Sequence, residues 1–121
     1  MPKTMNDLIQ KIKQNPRYHD AGMILCHNGV VRNRSRSGQK VTGLRVQVDE
    51  ARLKHVLEQY RSRPGIIDIM VDIRDGRELA VGDDVMLLAV AGDVRENVIA
   101  VLSDALNDIK KTVTRKTEHF A

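Results

Sequence analysis

The run IIDIMVDI, residues 66–73, alternates apolar and acidic side chains, and that period of two constrains the fold more than any other stretch of the chain. Side chains along a strand point alternately to opposite faces, so Ile67, Ile69, Val71 and Ile73 share one face, with Asp68 and Asp72 on the other. The acidic face is expected to be wet, which favours an antiparallel sheet over a parallel one covered on both sides. Residues 85–92, VMLLAVAG, are apolar throughout and read as a central strand. RDGRELAVGDD precedes that run as a turn-rich connector, with Asp-Gly and Gly-Asp supplying the turn residues.

The remaining segments alternate between the helical period and the strand period. Met5, Leu8, Ile9 and Ile12 fall on one face of a short helix that Thr4 can cap and Asn15-Pro16 ends. Gly22 to Val31 reads as a strand, with a bulge or bend at His27-Asn28-Gly29. Leu44, Val46 and Val48 alternate with Arg45 and Gln47 as a half-buried strand. Asp49 opens a second helix with Leu53, Val56, Leu57 and Tyr60 on its apolar face, and Arg63-Pro64-Gly65 closes it. A last helix starts at an Asp93–Glu96 capping-box spacing and carries the stripe Val98, Val101, Leu102, Ala105, Leu106 and Ile109. Running to about Lys111, it would be roughly 28 Å long at 1.5 Å per residue. The order is helix, strand, strand, helix, strand, strand, helix. That is a single α+β domain over residues 1–121, with residues 1–19 as N-terminal helix and linker.

At 121 residues the chain can bury a sufficient core without disulfides or metal. Aromatic residues make up only 2%, so the core is expected to be aliphatic. The lone Cys26 cannot form an internal disulfide and reads as a buried thiol in a reducing compartment. No secretory leader precedes it and no run approaches the ~20 apolar residues of a membrane span, so a cytoplasmic protein is expected. The four histidines are scattered without ligand spacing and one cysteine cannot build a zinc site, so no metal site is expected. Adjacent on a strand, Cys26 and His27 point to opposite faces and do not form a nucleophile–base pair. Nucleotide-binding glycine loops are absent as well.

What stands out is charge. Arg32, Arg34, Arg36 and Lys40 lie on one stretch with no acidic residue among them, and the tail KKTVTRKTEHFA adds Lys110, Lys111, Arg115 and Lys116. Arginine donates two parallel hydrogen bonds to a phosphate or carboxylate. A lysine held among other cations has a depressed pKa and becomes available as base or nucleophile. The two patches together suit a phosphorylated small molecule beside an activated lysine. A solvated arginine stretch without a ligand is the plainer alternative, and Lys110 and Lys111 also suit a helix C-terminus. Nucleic acid is disfavoured, since one Phe, two Tyr and no Trp leave little to stack on bases.

Several stretches, in order, carry a resemblance to a known family. AGMILCHNGVVRNRS resembles the start of the molybdopterin synthase large (catalytic) subunit, where a Gly-rich apolar strand ends in G-x-V-R-[ND]. RDGRELAVGDDVMLLAVAG resembles that family's R-x-G-x-L-x-x-G-[DE] segment and following strand, with one extra residue here. VRENVIAVLSDALNDIKKTVTRKTEHF resembles its long helix and lysine-bearing tail, so the likeness spans about residues 20 to 120.

The resemblance implies an α/β-hammerhead-like fold with a mainly antiparallel sheet and a long C-terminal helix, in a homodimer of large subunits. It implies a small ubiquitin-like sulfur-carrier partner whose C-terminal thiocarboxylate enters a pocket. Sulfur would pass from there to cyclic pyranopterin monophosphate in molybdenum cofactor biosynthesis, with no metal or organic cofactor. The family's strand-end arginine corresponds to Arg32, its helix-start His-Arg pair to Val94 and Arg95, and its first lysine to Lys110. The second lysine falls on Thr117 without a gap, or on Lys116 with Glu118 as the acid if one residue is deleted. Lys110 and Lys116 are thus the candidate catalytic residues, and Arg32, Arg34, Arg95, Lys111 and Arg115 the candidate anion contacts. The family's histidine, a Pro and a Trp near the tail, and its C-terminal extension are missing. Loss of sulfur transfer, leaving an anion- or partner-binding module, is the alternative function.

Overall fold

A computed structural model describes residues 3–121. Helix α1 spans Met5–Lys13, and a reciprocal capping box closes its start: Asp7 N–H donates to Thr4 Oγ1 and Thr4 N–H to Asp7 Oδ2. Strands β1 (Met23–Val30) and β2 (Val41–Val48) follow, then α2 (Glu50–Arg61), capped by the Asp49 carboxylate on Arg52 N–H. The chain continues with β3 (Ile66–Ile73), β4 (Glu78–Ala80) and β5 (Asp84–Gly92). Helix α3 (Arg95–Asp108) runs on through one π-type turn, Ile109–Val113, into a final strand β6, Thr114–Phe120. The result is an α+β fold with antiparallel sheets.

Two three-stranded sheets carry it. In the first, β5 lies between β1 and β3 and pairs antiparallel with both, the central place that its unbroken apolar run predicts. In the second, β2 lies between β4 and β6. Leu8 and Ile12 of α1 cover one face of the first sheet, against Ile67, Leu87, Ala89 and Ala91. Leu57 of α2 and Val98 and Val101 of α3 cover the other, against Ile69, Leu88 and Val90. Gly92 permits the close approach there, since a Cβ on it would sit 2.7 Å from both Gly65 O and Val98 Cγ2. The apolar faces expected for α2 and α3 are the ones that pack.

Four sequence expectations need correction. The acidic face of β3 is not wet: α1 lies over it, and Asp68 is only 8% exposed. Nor does Ile67 share a face with Ile69, because the ladder slips between Ile66 and Asp68 and turns Ile67 toward α1. At the start of α3, Asp93 stands one residue too early to cap. Its Oδ1 accepts from Val94 N–H and Asn97 Nδ2, while the N-cap residue is Val94, with no side-chain cap. Finally, β4 and β6 form where a connector and a tail were expected; both find backbone partners on β2, an interaction remote in sequence.

Burial of the Asp68 carboxylate is offset by three hydrogen bonds. Its Oδ1 accepts from Ile69 N–H at 2.8 Å and Arg61 Nε at 3.3 Å, and its Oδ2 from Asn15 Nδ2 at 3.1 Å. These bonds join the chain after α1 and the end of α2 to the β3 edge. Replacing Asp68 by Ala leaves those donors without their acceptor, and is expected to cost about 1–3 kcal/mol of stability. Urea unfolding of wild type and Asp68→Ala measures this directly.

Candidate functional site

Between the second sheet and the end of α3 lies a cavity of about 740 Å³. Val31, Val41, Leu44, Val46, Ile73 and Val85 form its apolar lining. Arg32, Arg34, Arg36, Lys110 and Lys116 also line it, with Glu118 as the one acidic side chain.

Three pieces of backbone bring these cations together. The first is a hairpin-like arm between β1 and β2. Its base is tied by Val31 N–H to Asp83 O and Gly82 N–H to Val31 O, and its sides by Val41 N–H to Asn33 O and Ser35 N–H to Gln39 O. At the turn, Ser35 is buried, its Oγ accepting from Gln39 N–H, and Gly38 takes a positive φ of 88° that suits glycine. Arg34 Nη1 donates to Gly38 O. The arm is thus an ordered hairpin. Arg32 at its base, Arg34 on its side and Arg36 at its turn all line the cavity.

The end of α3 supplies Lys110. Ile109 and Val113 are buried against Val56 and Met86, which holds this turn onto the first sheet and leaves Lys110 at the cavity. The third piece is β6. Its register on β2 pairs Val48 with Thr114, Val46 with Lys116 and Leu44 with Glu118. Val46 and Leu44 face the cavity, so their partners do too. Lys116 Nζ lies 3.8 Å from Glu118 Oε1.

That register also decides what stays out. Arg115 and Thr117 pair with Gln47 and Arg45 and face the other side of the sheet, so neither Arg115 nor Thr117 lines the cavity. Lys111 is exposed and does not line it. Arg95 stands at the opposite end of α3, about 22 Å along the helix axis from Lys110, with its Nε 3.3 Å from Glu96. Of the seven candidates, the fold therefore gathers Arg32, Arg34, Lys110 and Lys116 and leaves out Arg95, Lys111 and Arg115.

Two neighbouring groups bear on the site. His27 on β1 is partly buried, with its Nε2 3.2 Å from where a Cβ on Gly29 would be. Desolvation first, and then the charge of Lys110, lower its pKa, so it adds no charge to the site near neutrality. Arg36 belonged to the basic stretch expected to hold an anion but was not among the candidate site residues, although it lines the cavity; His27 does not line it. Cys26 is exposed rather than buried, because the α1 cluster takes in Ile24 but stops short of it. Desolvation by its neighbours nonetheless raises the thiol pKa, which opposes thiolate formation.

On the far side of the second sheet, β6 is clasped to its neighbours. Glu78 of β4 accepts from Arg45 Nη1 at 2.9 Å and lies 2.8 Å from His119 Nε2. The Arg45 hydrogen bond first, and then that of His119, hold its pKa below the ordinary carboxylate value.

The family model described as MoaE protein matches residues 2–112. The chain belongs to the MoaE family, that of the molybdopterin synthase large subunit. The match takes in Arg32 and Lys110 and ends before β6, so Lys116 and Glu118 lie beyond it. Among solved structures, the chain is similar to molybdopterin synthase from Staphylococcus aureus (TM-score 0.79, 22% identity, 99% of this chain and 87% of that one). It is also similar to a protein–protein complex of subunits 1 and 2 of molybdopterin-converting factor from Helicobacter pylori (TM-score 0.74, 18% identity, 98% and 80%). A third likeness is to molybdopterin cofactor biosynthesis protein E from Burkholderia multivorans (TM-score 0.75, 22% identity, 100% and 85%). Comparison with curated proteins gave no match. Among the described residues, no helix is long and apolar enough to cross a membrane, and no three His, Cys, Asp or Glu side chains are placed to hold a metal ion.

The Glu78 clasp has a pH signature. A carboxylate whose folded pKa is depressed contributes stability above its unfolded value, and loses it as pH falls through the folded value. The advantage of wild type over Glu78→Gln is therefore expected to be full at neutral pH and to shrink below about pH 4.3. Urea midpoints of both proteins across the acid range measure it.

Proposed function

We propose that this chain is the large subunit of a molybdopterin synthase, transferring sulfur from a small-subunit thiocarboxylate to cyclic pyranopterin monophosphate. The observation that carries this reading is the convergence of Arg32, Lys110 and Lys116, from the β1 end, the α3 end and β6, on one apolar-lined cavity. The family's strand-end arginine and first lysine correspond to two of them. Of the two alignments for the second lysine, the β2–β6 register favours Lys116, since Thr117 faces away.

In this reading the apolar lining receives the ring system and the cations receive the charges. Arg32 pairs with the phosphate or the thiocarboxylate, both of which suit its planar fork. Once the sulfur has bonded to the pterin, water adds to the resulting thioester-like carbonyl. The acyl C–S bond breaks with sulfur left on the pterin, and the small subunit departs as a carboxylate. The cluster stabilises the oxyanion of that addition, since the donors are placed in advance. Lys110 and Lys116 serve as base, nucleophile or covalent anchor for the pterin intermediate. The neutral amine is the form that serves each of these roles. The small subunit is the expected partner, in keeping with the two-subunit Helicobacter pylori complex. Pairing of two large subunits, as the resemblance implies, belongs to the same reading.

One observation favours a second reading. Val94 stands where the family has histidine, and Arg95 pairs with Glu96 far from the cavity. A family member that binds the anionic partner without turning over the pterin fits these departures.

Turnover of cyclic pyranopterin monophosphate with a thiocarboxylated small subunit separates the two. Lys110→Ala and Lys116→Ala are each expected to slow molybdopterin formation by roughly 10²- to 10⁴-fold, the usual worth of a proton-transferring side chain. Thr117→Ala is expected to keep near wild-type turnover. No product from a folded wild-type protein that binds the partner would establish the binding module instead.

A further inference from the structure

The proposed reaction leaves part of the cavity's charge without a role. Five cations line it against Glu118 alone, and Glu118 already lies 3.8 Å from Lys116. In that reading Arg32 holds the phosphate or the terminal thiocarboxylate, and Lys110 and Lys116 carry the chemistry. Arg34 and Arg36 remain, both exposed, and neither forms an ion pair with any described residue.

We propose that Arg34 and Arg36 form a docking subsite for carboxylate side chains on a polypeptide strand whose C-terminus enters the cavity. The inference rests on the reading above and adds an acidic character to the strand that precedes the partner's terminus. Three observations favour a polypeptide over a small anion. The two arginines lie on the turn half of an ordered hairpin, with Arg32 at its base, so they extend the cationic lining outward along a line rather than around a point. Val30 at the cavity, 53% exposed, and Val81 beside the hairpin base, 45% exposed, add aliphatic surface that a phosphate does not use and a peptide does. The buried Ser35 holds the turn from within, so presenting the arginines costs little further ordering. Charges at the edge of an interface steer association and make it salt-dependent.

The test uses two synthetic peptides with free C-terminal carboxylates, one carrying Glu before its end and the other Gln at the same positions, with inorganic phosphate as a third probe. Calorimetry on wild type is expected to show the Glu peptide binding roughly 2- to 30-fold tighter at low salt, as two exposed ion pairs allow. The advantage is expected to vanish at high salt and in the Arg34→Gln, Arg36→Gln double variant. Both side chains are exposed, so circular dichroism should show the double variant folded. Equal binding of the two peptides by wild type overturns the proposal. So does a double variant that keeps the Glu-peptide advantage but loses phosphate, which would assign the arginines to a small anion. Failure of phosphate to bind wild type at all counts against the reading of the cavity itself, a different result from either.

Discussion

The antiparallel ladder between β2 and β6 is the contact on which the candidate site depends. Seven residues of β6 carry alternating roles, and the ladder decides which set faces the cavity. With Val46 opposite Lys116 and Leu44 opposite Glu118, the ammonium and carboxylate face the cavity, while Arg115, Thr117 and His119 lie on the outer surface. A slip of one residue would exchange these sets and put Thr117 in place of Lys116. The outer clasp of Arg45, Glu78 and His119 ties all three strands together and so guards the register from the side that faces away from the cavity.

The rest of the architecture holds this second sheet against the first. The α3 helix ends in a π-type turn whose Ile109 and Val113 bury against Met86 and Val56. Asp49 N–H donates to Val113 O, and Thr114 opens β6 immediately after. The turn that presents Lys110 is therefore the same turn that starts β6 along β2, and the β2 ladder then places Lys116. The arginine hairpin is anchored independently, through Val31 and the β4–β5 connection. Assembling a cationic cavity from separately anchored elements lets like charges lie close together without relying on one flexible loop.

Most of the helices and strands were legible in the sequence because local periodicity is a local property. The apolar stripe of α3, the alternation of β2 and the unbroken run of β5 each depend on the faces that neighbours will cover, and those faces did pack. The misreadings have separate physical causes. Asp68 and Asp72 look like a solvent face because carboxylates are costly to bury, but Asn15, Arg61 and a backbone amide give Asp68 a satisfied interior site. Ile67 changes face through a slip in the ladder, and Asp93 spends its carboxylate on Val94 and Asn97. Neither leaves a mark on a period-two or capping-box pattern.

The sequence by itself determined the α+β class, the aliphatic core, the family and the excess of cations on the 32–40 stretch and the tail. These are properties of composition, periodicity and motif, which need no knowledge of distant partners. Which cations would meet was a different matter. Arg32, Arg34, Lys110 and Lys116 line one cavity together with Arg36, whereas Arg95, Lys111 and Arg115 do not line it. TRKTEHF, polar and without an apolar alternation, carries no strand signal of its own, because its ladder bonds come from the backbone of β2. Only the tertiary structure supplied that partner and its register, and with them which side chains of β6 face the cavity, Lys116 and not Thr117.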